Sequence, residues 1–422
     1  MTSSAAVPAL GRSVLKYRDY RFFLAARLLI TAAVQIQSVA VGIQVYDISH
    51  STFALGFVGL AQFLPMLALI LPAGDLADRY NRRIILLVSC FVAAAVAAGF
   101  FLLTVLDIQS LGLFYVVLAL FGLVRTLSAP ASQSLVPLLV PAEHLPRAIA
   151  WSSSAFQTAT IAGPALGGVL YELGPKVAYG TCFLLQATAV LLFALMRAPL
   201  AMRNVRAGGS ALGRAIAGID YVKARPVILG AISLDLFAVL LGGATALLPV
   251  YAKDILMVGP TGLGLLRAAP AVGAAITGLL LGQFPLNRNT GFTMFACVGL
   301  FGVATIVFGV SHSFALSLAA LAVLGASDMI SVFVRSTLIQ MATPDGMRGR
   351  VSAVSMLFVG ASNELGEFES GVTATWFGVV PSVVIGGLGT LVVVGVWMCL
   401  FPGLRRVDRL SDVKPPQAGP AV

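Results

Sequence analysis

Long apolar runs, each broken by a short polar stretch, recur along the whole chain. They fall at about 22–45, 53–73, 84–106, 111–138, 148–171 and 177–196, then at about 227–251, 261–284, 291–310, 314–340, 351–375 and 379–401. A helix that crosses a bilayer needs roughly 20 mainly apolar residues. The pattern therefore predicts an all-α membrane protein with twelve transmembrane helices in two six-helix pseudo-repeats. The longest polar stretch, 197–225, separates the two groups, and Leu212 to Val222 within it reads as an interfacial helix. This organisation places a first six-helix bundle over 1–200 and a cytoplasmic central loop over 201–225. A second bundle follows over 226–402, with a cytoplasmic tail over 403–422.

Composition agrees. The 422 residues are 59% hydrophobic and only 10% charged, whereas soluble domains carry roughly 45–50% apolar and about 25% charged residues. Secreted, disordered and disulfide-stapled classes are excluded. Cys90, Cys182, Cys297 and Cys399 each sit inside an apolar run, far apart, and read as small buried hydrophobes.

The net charge of +10 would suggest nucleic acid in a soluble protein. Its distribution says otherwise. Arg12, Lys16, Arg18, Arg21, Arg79, Arg82, Arg83, Arg147 and the six basic residues of the central loop all fall on one side of the predicted topology. So do Arg288, Arg348, Arg350, Arg405, Arg406, Arg409 and Lys414, while only Lys176 and Lys253 fall on the other. Cytoplasmic loops carry such an excess, so both termini are expected to be cytoplasmic in a multi-pass protein of the cell (inner) membrane. The first nineteen residues contain no short apolar core with a small-residue cleavage site.

The halves echo each other locally. Pro141-Ala142-Glu143 with Arg147 follows the fourth segment, and Pro344-Asp345 with Arg348 follows the tenth. In each, an acid near a helix start suits the macrodipole. Duplicated halves enclosing a site are a transporter architecture.

Between segments two and three the chain reads Gly74-Asp75-Leu76-Ala77-Asp78-Arg79-Tyr80-Asn81-Arg82-Arg83. A basic cytoplasmic loop needs neither the glycine nor the acid–base pair at fixed offset. The stretch resembles the signature loop of the major facilitator superfamily, with Asn81 where glycine is usual; asparagine also tolerates a left-handed turn. The resemblance covers essentially the whole chain. It implies that Asp78 and Arg79 latch the second helix to the eleventh. The second-half counterpart, Gly282 to Arg288, has no acids.

In the fifth segment, Ala159-Thr160-Ile161-Ala162-Gly163-Pro164-Ala165-Leu166-Gly167-Gly168 is similar to the glycine–proline element of antiporter branches. Small residues one turn apart also let helices approach closely, as in any polytopic protein, but the resemblance implies export. Arg125 resembles an intramembrane arginine linked to proton transfer in this superfamily. The Pro344-Asp345 turn and the polar patch from Ala361 to Gly371 resemble the enterobactin-exporter and macrolide-efflux branch.

Five acids lie within predicted spans: Asp235, Asp328, Glu364, Glu367 and Glu369. Charged groups at membrane depth face a cavity, pair, or take up protons. Glu364 and Glu367 share a helix face, and Glu369 points elsewhere. Asp328 and Arg335, two turns apart, share another. Asp235 reads as an isolated acid beside Ser233, and Arg27 and Arg267 as snorkelling residues near helix ends. Arg125, Asp235, Asp328, Arg335, Glu364 and Glu367 are thus the candidates for proton coupling or substrate contact. Gln35, Gln37, Gln62 and Asn363 are candidate polar cavity residues.

A nucleotide-driven pump would need a phosphate-binding G-x-x-x-x-G-K-[ST] loop, which the chain lacks. His50, His144 and His312 lie singly in loops, so no metal site is expected. The expectation is a secondary transporter, not an enzyme, exporting a small amphipathic molecule such as a siderophore or drug against protons. No cofactor and no nucleic acid are implied; the partners are the substrate and membrane lipids, and a monomer suffices. An importer, a lipid flippase, sodium coupling and a non-transporting receptor stay open.

Overall fold

The computed structural model describes residues 14–79, 81–197, 211–284, 286 and 288–409. Among them the chain is helical, with no strand. The first half comprises α1 (Arg18–Ser49), α2 (Thr52–Arg79), α3 (Arg82–Val105), α4 (Leu111–Leu139), α5 (Leu145–Glu172) and α6 (Pro175–Leu195). After α7 (Ala211–Lys223) the second half begins with α8 (Pro226–Leu241), then α9, the single turn Leu248–Val250. It continues with α10 (Gly259–Gln283), α11 (Thr290–Val310), α12 (Phe314–Ala342), α13 (Asp345–Phe377), α14 (Val379–Leu400) and the terminal turn α15 (Pro402–Arg405).

The turns follow from local chemistry. Asn81 caps α3 by accepting a 2.9 Å bond from the Arg83 backbone N–H. His50 ends α1 in the left-handed region at φ 49°. Gly174 takes φ 128° immediately before Pro175 opens α6, a conformation that favours glycine. Arg83 reaches back to the end of α6, donating to the carbonyls of Phe193 at 3.0 Å and Ala194 at 2.7 Å.

Ten stretches among the described residues, one of them the interrupted Pro226–Ile255, are long and apolar enough to cross a membrane. The two remaining long helices are α5, of 28 residues, and α13, of 33 residues. At about 1.5 Å per residue both exceed the bilayer's apolar thickness of about 30 Å. Their small, polar and acidic residues lower their apolarity, and these two helices join the halves. The second helix of each half packs on the fifth of the other: α2 lies against α13, and α5 against α10.

Successive helices run antiparallel, so the starts of α1, α3 and α5 share one end of the molecule with the end of α6. Tyr20 at the start of α1 donates to the carbonyl of Ala148 at the start of α5, 2.7 Å away. At the other end, here the far end, one apolar cluster spans the halves. Val39 and Ile43 of α1 pack there with Leu247, Leu248, Tyr251 and Leu263. Large apolar side chains such as Phe91, Leu102, Val116, Leu184, Leu279 and Val392 point outward, as lipid-facing residues do.

The seventh apolar run, expected as one continuous helix, is broken. α8 stops at Leu241, Ala244–Leu247 form a 3₁₀ turn, and Tyr251–Ile255 form a π turn after α9. The break falls at Gly242-Gly243, where neighbours leave no room for side chains. A Cβ on Gly242 would lie 2.6 Å from the Phe301 ring, and one on Gly243 would lie 2.8 Å from the Gly366 backbone. The Ser370 hydroxyl donates to the Gly243 carbonyl at 3.1 Å, satisfying an acceptor that the broken helix leaves free.

The interfacial helix forms as α7. It packs on the second half, where the Tyr221 hydroxyl donates to the Ala342 carbonyl at 3.1 Å. Of the cysteines, Cys90, Cys182 and Cys297 are buried as expected. Cys399 is exposed, because it lies on an outward face of α14.

Candidate functional site: a charged cavity between the halves

A cavity of about 110 Å³ opens where α1, α2 and α4 meet α10 and α13. Its polar wall consists of Gln35, Gln37, Ser38, Gln62, Arg125, Arg267, Glu364 and Glu367. The first half supplies amides and one arginine; the second half supplies two acids and the other arginine. Arg125 Nη1 lies 3.2 Å from Glu364 Oε1, an ion pair that bridges the halves. Arg125 is half exposed and Glu364 buried.

The approach of α13 depends on α2. A Cβ on Gly59 would lie 2.6 Å from the Glu364 carbonyl and 2.8 Å from Glu367 Cβ; one on Gly56 would lie 3.1 Å from Gly371 Cα. Glycine here lets the acid-bearing turn of α13 lie directly on α2.

Glu364 and Glu367 face the cavity together, as their spacing predicts, and Glu369 does not line it. The three glutamines line it too. Asn363 does not: it is exposed and donates to the Val359 carbonyl at 2.9 Å, one turn back. Arg267 departs further from expectation. It lies in the membrane-spanning body of α10, hydrogen-bonds Ser38 of α1, and shares the cavity with Glu367. The ends of an apolar run do not fix depth along a helix, which is why the sequence alone places Arg267 near a helix end. A pair of acids on the facing helix was the available signal.

Arg125, Val34 and Gln35 also line a second chamber of about 500 Å³ inside the first half, walled by Phe23, Arg27, Phe156 and Gln186 among others. Arg27 sits there over the Phe156 ring, its guanidinium carbon 5.6 Å from the centroid.

Asp235 is not isolated. It forms a buried ion pair with Arg335 across α8 and α12, so the partner of Arg335 is on another helix rather than at Asp328. Asp235, Asp328, Ser327 and Ser331 line a void of about 10 Å³ within the second half, which shares no residue with the central cavity.

The glycine–proline element of α5 lies at the join of the halves. Cβ atoms would meet Gln35 Cβ at 2.6 Å from Gly163, Ile36 Cα at 3.0 Å from Gly167, and the Pro260 carbonyl at 2.4 Å from Gly168. Reciprocally, a Cβ on Gly264 would lie 2.4 Å from the Pro164 carbonyl. The element is therefore an interface between α5, α1 and α10.

Beyond it, polar contacts tie the far ends of the halves together. Tyr46 bonds Asp254, Lys253 pairs with Asp47, and Thr261 bonds Glu172. The hydroxyls of Thr52 and Thr375 are 2.9 Å apart. At the opposite end, the side chains of Gly74, Asp78 and Arg79 lie outside the described residues. Arg82 and Arg83 open α3 there, and Arg83 is engaged with α6.

Comparison with known proteins agrees with this architecture. The chain is 28% identical over 404 residues to the enterobactin exporter EntS of Citrobacter koseri, covering 94% of this chain and 95% of the relative. It is 27% identical over 411 residues to the EntS of Salmonella paratyphi A, covering 96% and 97%. Among solved structures, a bacterial homologue of the lysosomal transporter Spinster superposes with a TM-score of 0.71 at 15% identity, covering 96% of this chain and 99% of its own. A bacterial homologue of the iron transporter ferroportin gives 0.70 at 17% identity, covering 92% and 99%. Residues 12–418 match the transmembrane secretion effector family. The chain belongs to that family, and it is a transmembrane transporter of the major facilitator superfamily, not an enzyme.

Proposed function

We propose that the protein is a proton-coupled exporter that moves a small amphipathic organic molecule by alternating access. In this reading twelve helices cross the inner membrane with both termini cytoplasmic. The far end then faces outward and is closed, while the central cavity communicates with the cytoplasmic side. The 21 basic residues on one side of the topology support that orientation.

The observation that carries the reading is the ion pair of Arg125 with Glu364, drawn from opposite halves at the wall of a polar cavity. Separating the halves breaks it, so ligand and ions at this point bias which end opens. Glu364 and Glu367, when ionised, accept hydrogen bonds from O–H and N–H donors on a substrate, and the glutamines both donate and accept. Proton uptake that weakens this acceptor set, directly or through the helices that carry it, favours release of the substrate, which is the condition for exchange in opposite directions.

A polyphenolic siderophore offers such donors on an amphipathic frame. The relatives named as enterobactin exporters support a catecholate as the first compound to test. The test uses everted membrane vesicles, acid inside, following accumulation of iron-free enterobactin. The reading requires accumulation that depends on the pH gradient and is lost in Glu364→Gln. Accumulation indifferent to the gradient would replace proton exchange with uniport or another ion. No accumulation, with the protein present and folded, would remove this substrate class.

A further inference from the structure

We propose that the driving proton is carried outside the substrate cavity, on Asp328 in the interior of the second half. This rests on the proton-coupled reading above and assigns its ion a place of its own. The void beside Asp328 measures about 10 Å³, about the room one water needs. Its walls are Asp235 of α8, Val298 and Phe301 of α11, and Ser327, Asp328 and Ser331 of α12.

The charges facing this space do not balance. Asp235 is consumed by Arg335, and both are buried. No other charged residue lines the void. Asp328 therefore adds a full negative charge to an otherwise neutral cluster when ionised, and none when protonated. A buried uncompensated charge is expensive, so one monovalent cation restores neutrality.

A second observation is independent of the acids. The Ser331 hydroxyl is 2% exposed, lines the void, and has no hydrogen-bond partner. Buried hydroxyls are nearly always bonded. A protonated Asp328 has a donor for that oxygen and an ionised Asp328 an acceptor for its O–H, so the free hydroxyl is placed to follow the state of the acid. Ser327 already gives its proton to the Val323 carbonyl at 2.8 Å, leaving its lone pairs. A proton sits on one carboxylate oxygen of Asp328 and needs no shell of further ligands.

The geometry also connects this site to the cavity. Phe301, on the wall of the void, touches the Gly242 break, and Gly366 packs on the carbonyls of Val239 and Leu240, the last turn of α8. Gly366 lies between Glu364 and Glu367 on α13. When Asp328 ionises, Arg335 is drawn between two acids instead of one. The end of α8 shifts against the turn of α13 that carries the substrate's acceptors.

The experiment has two arms on purified protein in liposomes. Infrared titration needs no substrate. The carboxylic C=O band of buried protonated acids is expected to lose a component in Asp328→Asn that Glu364→Gln retains; a band unchanged in Asp328→Asn overturns the proposal. The transport arm compares counterflow of iron-free enterobactin, which needs no proton, with accumulation driven by a pH gradient. Asp328→Asn should keep counterflow within about twofold and lose gradient-driven accumulation at least tenfold. Ser331→Ala should shift the midpoint of the pH profile. Loss of counterflow in folded Asp328→Asn, or accumulation driven by sodium at constant pH, overturns the assignment. A wild type without counterflow would refute the substrate reading, while the infrared arm still decides the proton site.

Discussion

Gly168→Ala isolates the energetics of the closed far end. The substitution adds one methyl group at the crossing of α5 and α10, 2.4 Å from the Pro260 carbonyl oxygen and 3.0 Å from Thr261 Cα. The first contact is about 1 Å inside ordinary van der Waals separation. Backbone cannot swing aside as a side chain can, so the helices must part. Overpacking of this kind costs about 1–3 kcal/mol. Alanine also gains helix propensity of up to about 1 kcal/mol, but α5 stays helical in both states, so that gain cancels between them. The state with its far end open should rise about 5–150-fold relative to the closed one.

Cross-linking reads the closed population. With the four natural cysteines replaced, Thr52→Cys and Thr375→Cys place thiols where hydroxyls lie 2.9 Å apart. Oxidative cross-linking should slow in Gly168→Ala and in Gly264→Ala, whose added methyl meets the Pro164 carbonyl at 2.4 Å. Gly299→Ala, with nothing within 4 Å of its added methyl, should leave the rate unchanged. Equal rates in all three variants would refute the claim that this crossing holds the far end shut.

Other tests follow from the charged contacts. Asp235→Leu with Asp328→Asn should lower stability by about 3–5 kcal/mol by leaving Arg335 buried without an acid, while adding Arg335→Leu should recover most of the loss in a thermal unfolding assay. Arg83→Ala should cost about 1–3 kcal/mol, because the Phe193 and Ala194 carbonyls lose a charged donor at the end of α6; an unchanged melting temperature would mean that solvent replaces it. Arg125→Ala and Glu364→Gln should be strongly non-additive in substrate affinity, since each removes the same bridge. Additive losses would place the two residues in separate roles.

The helices, their order and the polar stretch between the halves were legible in the chain because apolar run length is a local property, fixed by what a bilayer accepts. The signature loop and the glycine–proline element could likewise be read directly. The shared face of Glu364 and Glu367 followed from helical geometry alone. Partners did not. Asp235 and Arg335 are 100 positions apart, Arg125 and Glu364 farther still, and Arg267 meets Ser38 from the other half of the chain. In water, an amphipathic stripe tells which side of a helix is buried. In lipid, the outward face is as apolar as the packed one, so that signal vanishes. Which helices touch is then settled by where glycines permit close approach and where charges find counter-charges. The break at Gly242-Gly243 belongs to the same class: glycine makes a bend cheap, but only Phe301, Gly366 and the Ser370 hydroxyl determine that the helix breaks there.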